Sequence, residues 1–180
     1  MIEKYKWTDE LEPFCISIAF GAKREAVETA FRIVPDSRKL TKVAELWDFA
    51  GPESQGNDVV QIDALANGII AFENNGWTGE DNDGIVIKAI GCPAFVSIFR
   101  NVNAVMSFVY AKDGIVVRRF DPLLYEAEGA LPEEKLYAWN LEHPTVSAFA
   151  LAETLTGIEI TQAWMLDQPH PTYRTLFGNK

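Results

Sequence analysis

Residues 93–122 have the sequence PAFVSIFRNVNAVMSFVYAKDGIVVRRFDP, and this stretch decides the fold. It contains three runs rich in β-branched and aromatic residues, which favour strands: Phe95–Arg100, Val105–Tyr110 and Ile115–Phe120. The runs are joined by two short connections of the hairpin type, 101–103 and Asp113-Gly114. Pro122 ends the third run, because proline lacks the N–H that a strand ladder needs. The stretch therefore predicts three consecutive antiparallel strands.

The sequence before this stretch predicts three further strands and three short helices. An Asn67-Gly68 pair lies between two of the apolar runs and is typical of a hairpin. One six-residue apolar run, Ile85–Ile90, fits either a helix or a strand, and Gly91 after it favours a short helix. The predicted strands are Phe14–Phe20, Asp58–Leu65 and Ile69–Phe72. The predicted helices are Ala22–Phe31, Thr41–Ala50 and Ile85–Ile90.

The last third of the chain predicts helices. Pro132 with two following glutamates begins one helix, Thr145 caps a second that ends at Gly157, and Thr161 caps a third. The tail from about residue 168 contains Pro169 and is expected to pack loosely. Together these elements predict one α+β domain over residues 1–180, with a mainly antiparallel sheet of about five or six strands and helices packed on one face.

The chain is acidic, with a formal net charge of -10 from 26 acidic and 16 basic residues. Such a surface disfavours nucleic acid and anionic membranes and attracts a basic protein. The simpler alternative is that the charge only keeps the protein in solution. The sequence contains no apolar stretch of membrane-spanning length and begins without the pattern of a secretory signal, so we expect a cytoplasmic protein.

The sequence predicts no catalytic site, cofactor or metal site. Cys15 and Cys92 lie among apolar residues and are expected to be buried free thiols, with a disulfide between them as the alternative. His143 and His170 each precede a proline and share no short motif with a cysteine, a serine or a carboxylate. The glycines form neither a P-loop nor a dinucleotide-binding pattern.

The segment Gly76–Gly84 is the strongest candidate for a binding site. Placing Asp81 and Asp83 at EF-hand ligand positions puts glycine first and isoleucine twelfth, which excludes an EF-hand. An exposed Trp77 beside acidic residues suits recognition of a basic partner, and the alternative is that Trp77 folds back onto the sheet. The predicted partner-binding residues are Trp77, Glu80, Asp81 and Asp83. The patterns around Trp47, Trp139 and Trp164 predict core positions.

Several motifs in order resemble an uncharacterised bacterial family of unknown function. They lie between about residues 68 and 157: Ile70–Trp77, Arg100–Ala104, Tyr110–Gly114, Phe120–Pro122 and Ala150–Gly157. The resemblance implies no activity and no catalytic residues. It implies a stand-alone bacterial module, similar in scale and acidity to the immunity proteins of contact-dependent toxin systems.

The sequence therefore favours a non-catalytic protein-binding module, of which an immunity-type protein that neutralises a basic bacterial toxin is one form. The alternative is a small-molecule sensor or an enzyme with a pocket between sheet and helices. Polar groups for such a pocket would come from Tyr110, Arg100, Arg118 and Glu73. Arg118 and Arg119 are adjacent and would point to opposite faces of a strand. An assembly subunit would instead present a large apolar patch.

Overall fold

The computed structural model describes residues 2–11, 13–52, 58–80, 83–103, 105–139 and 142–176. These residues form one antiparallel sheet of eight strands in the order β2-β8-β3-β4-β1-β5-β6-β7. The strands are β1 (Phe14–Phe20), β2 (Lys39–Thr41), β3 (Val59–Leu65), β4 (Gly68–Glu73), β5 (Ala94–Arg100), β6 (Met106–Lys112), β7 (Ile115–Phe120) and β8 (His170–Arg174). The predicted meander, β5 to β7, and the predicted hairpin, β3 to β4, are confirmed.

The helices are short except for the last one. They are α1 (Arg24–Ala30), α2 (Leu46–Ala50), α3 (Ile85–Ile90) and α4 (Pro144–Thr156). Segments of 3-10 helix cover Ile2–Glu10, Pro35–Ser37, Val43–Glu45, Thr78–Glu80, Pro122–Leu124 and Pro132–Leu136, and a π-helix covers Ala163–Asp167. Gly157 ends α4 with a φ of 70°, the left-handed conformation in which glycine commonly ends helices. The predicted C-terminal ends of α3 and α4, at Gly91 and Gly157, are confirmed. The predicted cap of α4 at Thr145 is wrong, because the helix begins at Pro144 and His143 is its N-cap residue.

Helices lie on both faces of the sheet, which corrects the prediction of one covered face. Ile16 and Ile18 of β1 pack with α4 and the N-terminal 3-10 helix, and we call this side the α4 face. Ala19 of β1 packs on the other side with α1 and α3, which we call the α3 face. The sequence of β1 is apolar at nearly every position, and a strand that is apolar on both faces needs cover on both.

The C-terminal third is less helical than predicted. The segment after Pro132 is a short 3-10 helix, and Thr161 accepts a hydrogen bond from the backbone N–H of Trp164 at the start of the π-helix. The tail, which was expected to pack loosely, contributes β8 between β2 and β3. Pro169 and Pro171 disfavour a strand at residues 170–174, but pairing with strands far away in sequence decides the conformation of this segment. β2 and β8 are the two strands that the prediction of five or six lacked.

Candidate functional site

A buried carboxylate fastens the loop after β4 to the sheet. The oxygens of Glu73, the last residue of β4, accept hydrogen bonds from the backbone N–H groups of Thr78 (3.1 Å) and Gly79 (3.0 Å). Glu73 itself is buried, and the following 3-10 turn lies against β1 and β5. Trp77 precedes this turn and is 58% exposed. We call residues 73–80 the Trp77 loop.

Two glycines let the Trp77 loop approach its neighbours at very short range. A Cβ on Gly76 would lie 2.7 Å from the Cβ of Glu73, and one on Gly79 would overlap the Oγ of Ser17. No side chain fits at either position without displacing a neighbour. The loop backbone is therefore packed between the Glu73 carboxylate and β1, and this packing fixes the position of Trp77.

Two ionisable groups beneath the Trp77 loop, those of Glu73 and Cys15, are buried, and burial raises the pKa of each. Burial raises the pKa of the Glu73 carboxyl, against the opposing effect of the hydrogen bonds from Thr78 and Gly79. Burial, and after it the charge of Glu73, also raises the pKa of the Cys15 thiol well above its ordinary value. The Sγ of Cys15 lies 3.5 Å from the Oγ of Ser97. A buried thiol with a raised pKa stays protonated near neutral pH and is a poor nucleophile.

The raised pKa of Glu73 predicts a pH-dependent contribution to stability. A carboxyl whose pKa is higher in the folded than in the unfolded state stabilises the fold most at low pH. Relative to Glu73→Gln, we expect the wild type to lose stability as the pH rises above the ordinary carboxyl value of 4.5 towards the folded-state pKa. Urea unfolding of both proteins from about pH 4 to about pH 7 measures this difference. A difference that stays constant over that range would contradict the prediction.

The predicted partner-binding residues do not all have the same environment. Trp77 does not fold back onto the sheet, and Asp83 is exposed. Glu80 is half-buried: its carboxylate lies 3.8 Å from Nη1 of Arg119, and its carbonyl oxygen accepts a 3.0 Å hydrogen bond from Arg119. Asp81 lies outside the described residues. Glu80 therefore belongs to the internal structure of the Trp77 loop, and Trp77 and Asp83 face solvent.

A second tryptophan near the Trp77 loop is also exposed. Trp47 of α2 is 49% exposed, which corrects the prediction that it belongs to the core. The Asn74 amide is oriented so that both its oxygen and its nitrogen form hydrogen bonds. The oxygen accepts from Nε1 of Trp47 (2.7 Å), and the nitrogen donates to the carbonyl oxygen of Pro13 (3.1 Å). The helical pattern failed because residues 39–50 are divided among β2, a 3-10 turn and a five-residue helix. Trp139 and Trp164 pack against the core, as predicted.

A small cleft on the α4 face holds a polar cluster that the sequence did not predict. Nδ1 of His170 lies 2.9 Å from Oδ2 of Asp63, and Nε2 lies 2.8 Å from the carbonyl oxygen of Trp164. The Oε1 of Gln61, which is buried beside them, has no hydrogen-bond partner among the described residues. These residues come from two distant parts of the sequence, 61–63 and 164–170, so no local motif marks the cleft. Its cavity volume of about 10 Å³ is near the lower limit for holding one water molecule.

The sheet separates one of the four residues proposed for a pocket between sheet and helices from the others. Arg118 forms a two-pronged contact with the buried Glu134 on the α4 face, and Tyr110 packs in the core of that face. Glu73 lies under the Trp77 loop, on the α3 face. Arg119 reaches Glu80 on that same side, which confirms that Arg118 and Arg119 point to opposite faces. Arg100 follows Ile98 by two residues in β5 and so lies on the α4 face with Arg118 and Tyr110. The sheet therefore separates Glu73 from the other three.

Both cysteines are free and buried, as predicted. Among the described residues, no group of three or more histidine, cysteine, aspartate or glutamate side chains is placed to hold a metal ion. Within the same part of the chain, no helix is both long enough and apolar enough to cross a membrane.

No family model, curated protein or solved structure matches the chain. The resemblance to an uncharacterised bacterial family therefore stays a prediction. The function has to be argued from the geometry of the two candidate regions, the Trp77 loop and the cleft beside His170.

Proposed function

We propose that this protein is a non-catalytic binding module that recognises a basic protein partner through Trp77. The observation that carries the proposal is a tryptophan that is 58% exposed on a loop whose backbone is held by the buried Glu73. Tryptophan is among the side chains that contribute most to protein–protein binding. Exposure of a large apolar ring to water raises the free energy of the unbound protein, and burial of the ring against a partner would remove that contribution.

The rigidity of the Trp77 loop supports the proposal as much as the exposure does. Ordering a flexible loop on binding lowers affinity, and a loop that is already ordered avoids this loss. The close approaches at Gly76 and Gly79 and the two hydrogen bonds to Glu73 restrict the loop before any partner arrives. Trp77 is thus presented in a defined position, as a binding anchor requires.

Charge indicates the chemistry of the partner. The net charge of -10 gives the whole surface a negative field, and Asp83 adds an exposed carboxylate six residues after Trp77. Complementary charge accelerates association and selects partners with basic surfaces. The particular case that we propose is an immunity-type protein that covers the basic active-site surface of a bacterial toxin. This case rests on analogy in size and acidity.

We expect Trp77→Ala to abolish capture of the partner while the fold stays intact. Removing a central tryptophan typically costs at least about 2 kcal/mol of binding free energy, or roughly thirtyfold in affinity. The measurement is affinity capture from native lysate with the wild type and the variant as bait, followed by titration of the captured protein. Binding should also weaken at higher ionic strength, because salt screens the attraction between opposite charges.

Leu124→Ala is the matched control, because Leu124 is also exposed and lies in a 3-10 turn that contacts α4 rather than the Trp77 loop. It should capture the same protein as the wild type. Equal capture by all three baits would show that Trp77 is not the anchor. Capture that does not depend on salt would contradict the charge argument.

The cleft beside His170 supports a second candidate function, binding of a small molecule. The Oε1 of Gln61 has no hydrogen-bond partner in the part of the chain that the structure describes, and it would accept a hydrogen bond from a ligand N–H or O–H. The walls of the cleft include the apolar side chains of Ile70, Phe72 and Met165. The cavity admits at most one water molecule, so a larger ligand would have to displace side chains that line the cleft. We therefore place this function second.

A further inference from the structure

Trp47 and Trp77 lie at the same end of the sheet and are connected through one side chain. Cys15, near the start of β1, pairs with Glu73, the last residue of β4, so the segments that flank them meet at this end. Asn74 follows Glu73, and its amide oxygen accepts a hydrogen bond from Nε1 of Trp47 (2.7 Å). Trp77 lies three residues further along the same loop. The two exposed tryptophans therefore belong to one surface, although they come from distant parts of the sequence.

The two indole rings are close enough for one short segment of a partner to contact both. The three residues from Asn74 to Trp77 span at most about 11 Å, and the side chains at each end add to this length. The rings are therefore no more than roughly 25 Å apart. An extended segment of about eight residues covers such a distance.

Each of these tryptophans has an exposed carboxylate close to it in sequence. Asp48 follows Trp47 in α2, and Asp83 lies six residues after Trp77. In the part of the chain that the structure describes, neither carboxylate forms an ion pair. They differ in this from Glu80, which has a cation of the same chain beside it. The charges of both aspartates are therefore available to a partner.

An indole ring with a carboxylate nearby matches the chemistry of an arginine side chain. The guanidinium group stacks on an aromatic face by cation–π attraction, and its N–H groups pair with a carboxylate at the same time. A lysine ammonium group is more strongly hydrated and has no flat face to stack. A second copy of this chain is the wrong occupant, because each copy has a net charge of -10 and would bring carboxylates against carboxylates.

We propose that Trp47 is a second anchor of the surface around Trp77, and that this surface binds an arginine-rich segment with one guanidinium group on each tryptophan. The inference rests on the proposed function, because it identifies the part of the basic partner that binds at Trp77. Asp48 pairs with the guanidinium group on Trp47, and Asp83 pairs with the one on Trp77. Asn74 positions the Trp47 ring relative to the loop. Because one segment engages both rings, loss of either tryptophan weakens the whole contact.

Titration with a nona-arginine peptide, followed by NMR of the indole N–H groups, tests the proposal. The chain has five tryptophans, and Trp47→Phe and Trp77→Phe assign the two signals that matter. We expect these two signals to shift along one binding curve with a single dissociation constant. The signals of Trp7, Trp139 and Trp164, which pack in or against the core, should stay in place. A nona-glutamate peptide should shift none of the five.

Variants separate specific pairing from general attraction to an acidic protein. Trp47→Ala should weaken nona-arginine binding about tenfold, and Asp48→Asn about threefold. Glu25→Gln is the matched control for Asp48→Asn. It removes the same charge from an exposed position in α1, which follows β1 at the opposite end of the sheet, so the affinity should stay unchanged. Equal weakening by these two substitutions would overturn the proposal.

The NMR outcomes also separate this inference from the proposed function. A Trp77 signal that shifts while the Trp47 signal stays in place would overturn the second anchor and leave the proposed function standing. Two signals that follow different binding curves would show independent sites and would overturn the single segment. If neither signal shifts, the second anchor is wrong and the charge argument for a basic partner at Trp77 fails with it.

Discussion

Arg118→Ala is expected to destabilise the protein by about 3–5 kcal/mol, because it leaves the charge of Glu134 buried without a cationic partner. The Nε of Arg118 lies 2.9 Å from Oε1 of Glu134 and Nη2 lies 3.1 Å from Oε2. The Glu134 side chain is fully buried, and that of Arg118 is 10% exposed. Two further hydrogen bonds from Arg118 reach the backbone carbonyls of Glu126 and Glu128. Arg118 thus joins β7 to the segment 126–134.

Urea unfolding of the single variants and of a double variant measures this effect. Replacing both ends of a buried ion pair with apolar side chains is often close to neutral, whereas removing one end is costly. We therefore expect Arg118→Met with Glu134→Leu to be more stable than Arg118→Ala. Lys135→Ala serves as the control, since Lys135 is exposed and adjacent to Glu134. A loss below about 1 kcal/mol for Arg118→Ala would show that the pair contributes no more than an exposed salt bridge.

Gly79→Ala is expected to cost about 1–3 kcal/mol, because the added methyl group would overlap the Oγ of Ser17. A long, flexible neighbour could move aside, but Ser17 has a short side chain and lies within a central strand. The 3-10 turn would have to move away from β1, and its hydrogen bond to Glu73 would lengthen. The same variant should reduce partner binding, because it displaces Trp77 from its fixed position.

Ser17→Ala provides the matched control for this prediction. The Oγ of Ser17 is buried and has no hydrogen-bond partner among the described residues, so its removal should be neutral or stabilising. The double variant, Ser17→Ala with Gly79→Ala, should recover much of the stability lost in Gly79→Ala, because the overlapping atom is gone. Additive effects of the two substitutions in a denaturation experiment would contradict a direct clash between these residues.

Local sequence patterns were sufficient to predict the strands whose pairing partners are close in sequence. The meander β5–β7 and the hairpin β3–β4 have short turns and strong strand composition, so the residues that pair lie next to each other along the chain. β8 was missed because its partners are β2 and β3, more than a hundred residues away. The run HPTYR has little strand propensity of its own, and the pairing supplies what the composition lacks.

The candidate site was likewise predictable only in part from local sequence. The sequence identified Trp77 as a candidate anchor from its glycine and acidic neighbours. It assigned Glu80 to the surface, whereas its ion pair with Arg119 depends on β7 lying near the Trp77 loop. The sequence also did not predict that Glu73 holds the loop backbone. No local pattern indicates that a carboxylate at the end of an apolar strand will be buried under the next turn.

The sequence by itself determined the α+β class, the central strands and the absence of known catalytic motifs, since each follows from residue type and short-range spacing. Tertiary structure alone decided strands β2 and β8, the cover on both faces and the packing that holds the Trp77 loop against β1. The physical reason is that burial and pairing depend on which distant segments meet. A carboxylate, a tryptophan or a valine acquires its role from those neighbours, and the local pattern does not contain them.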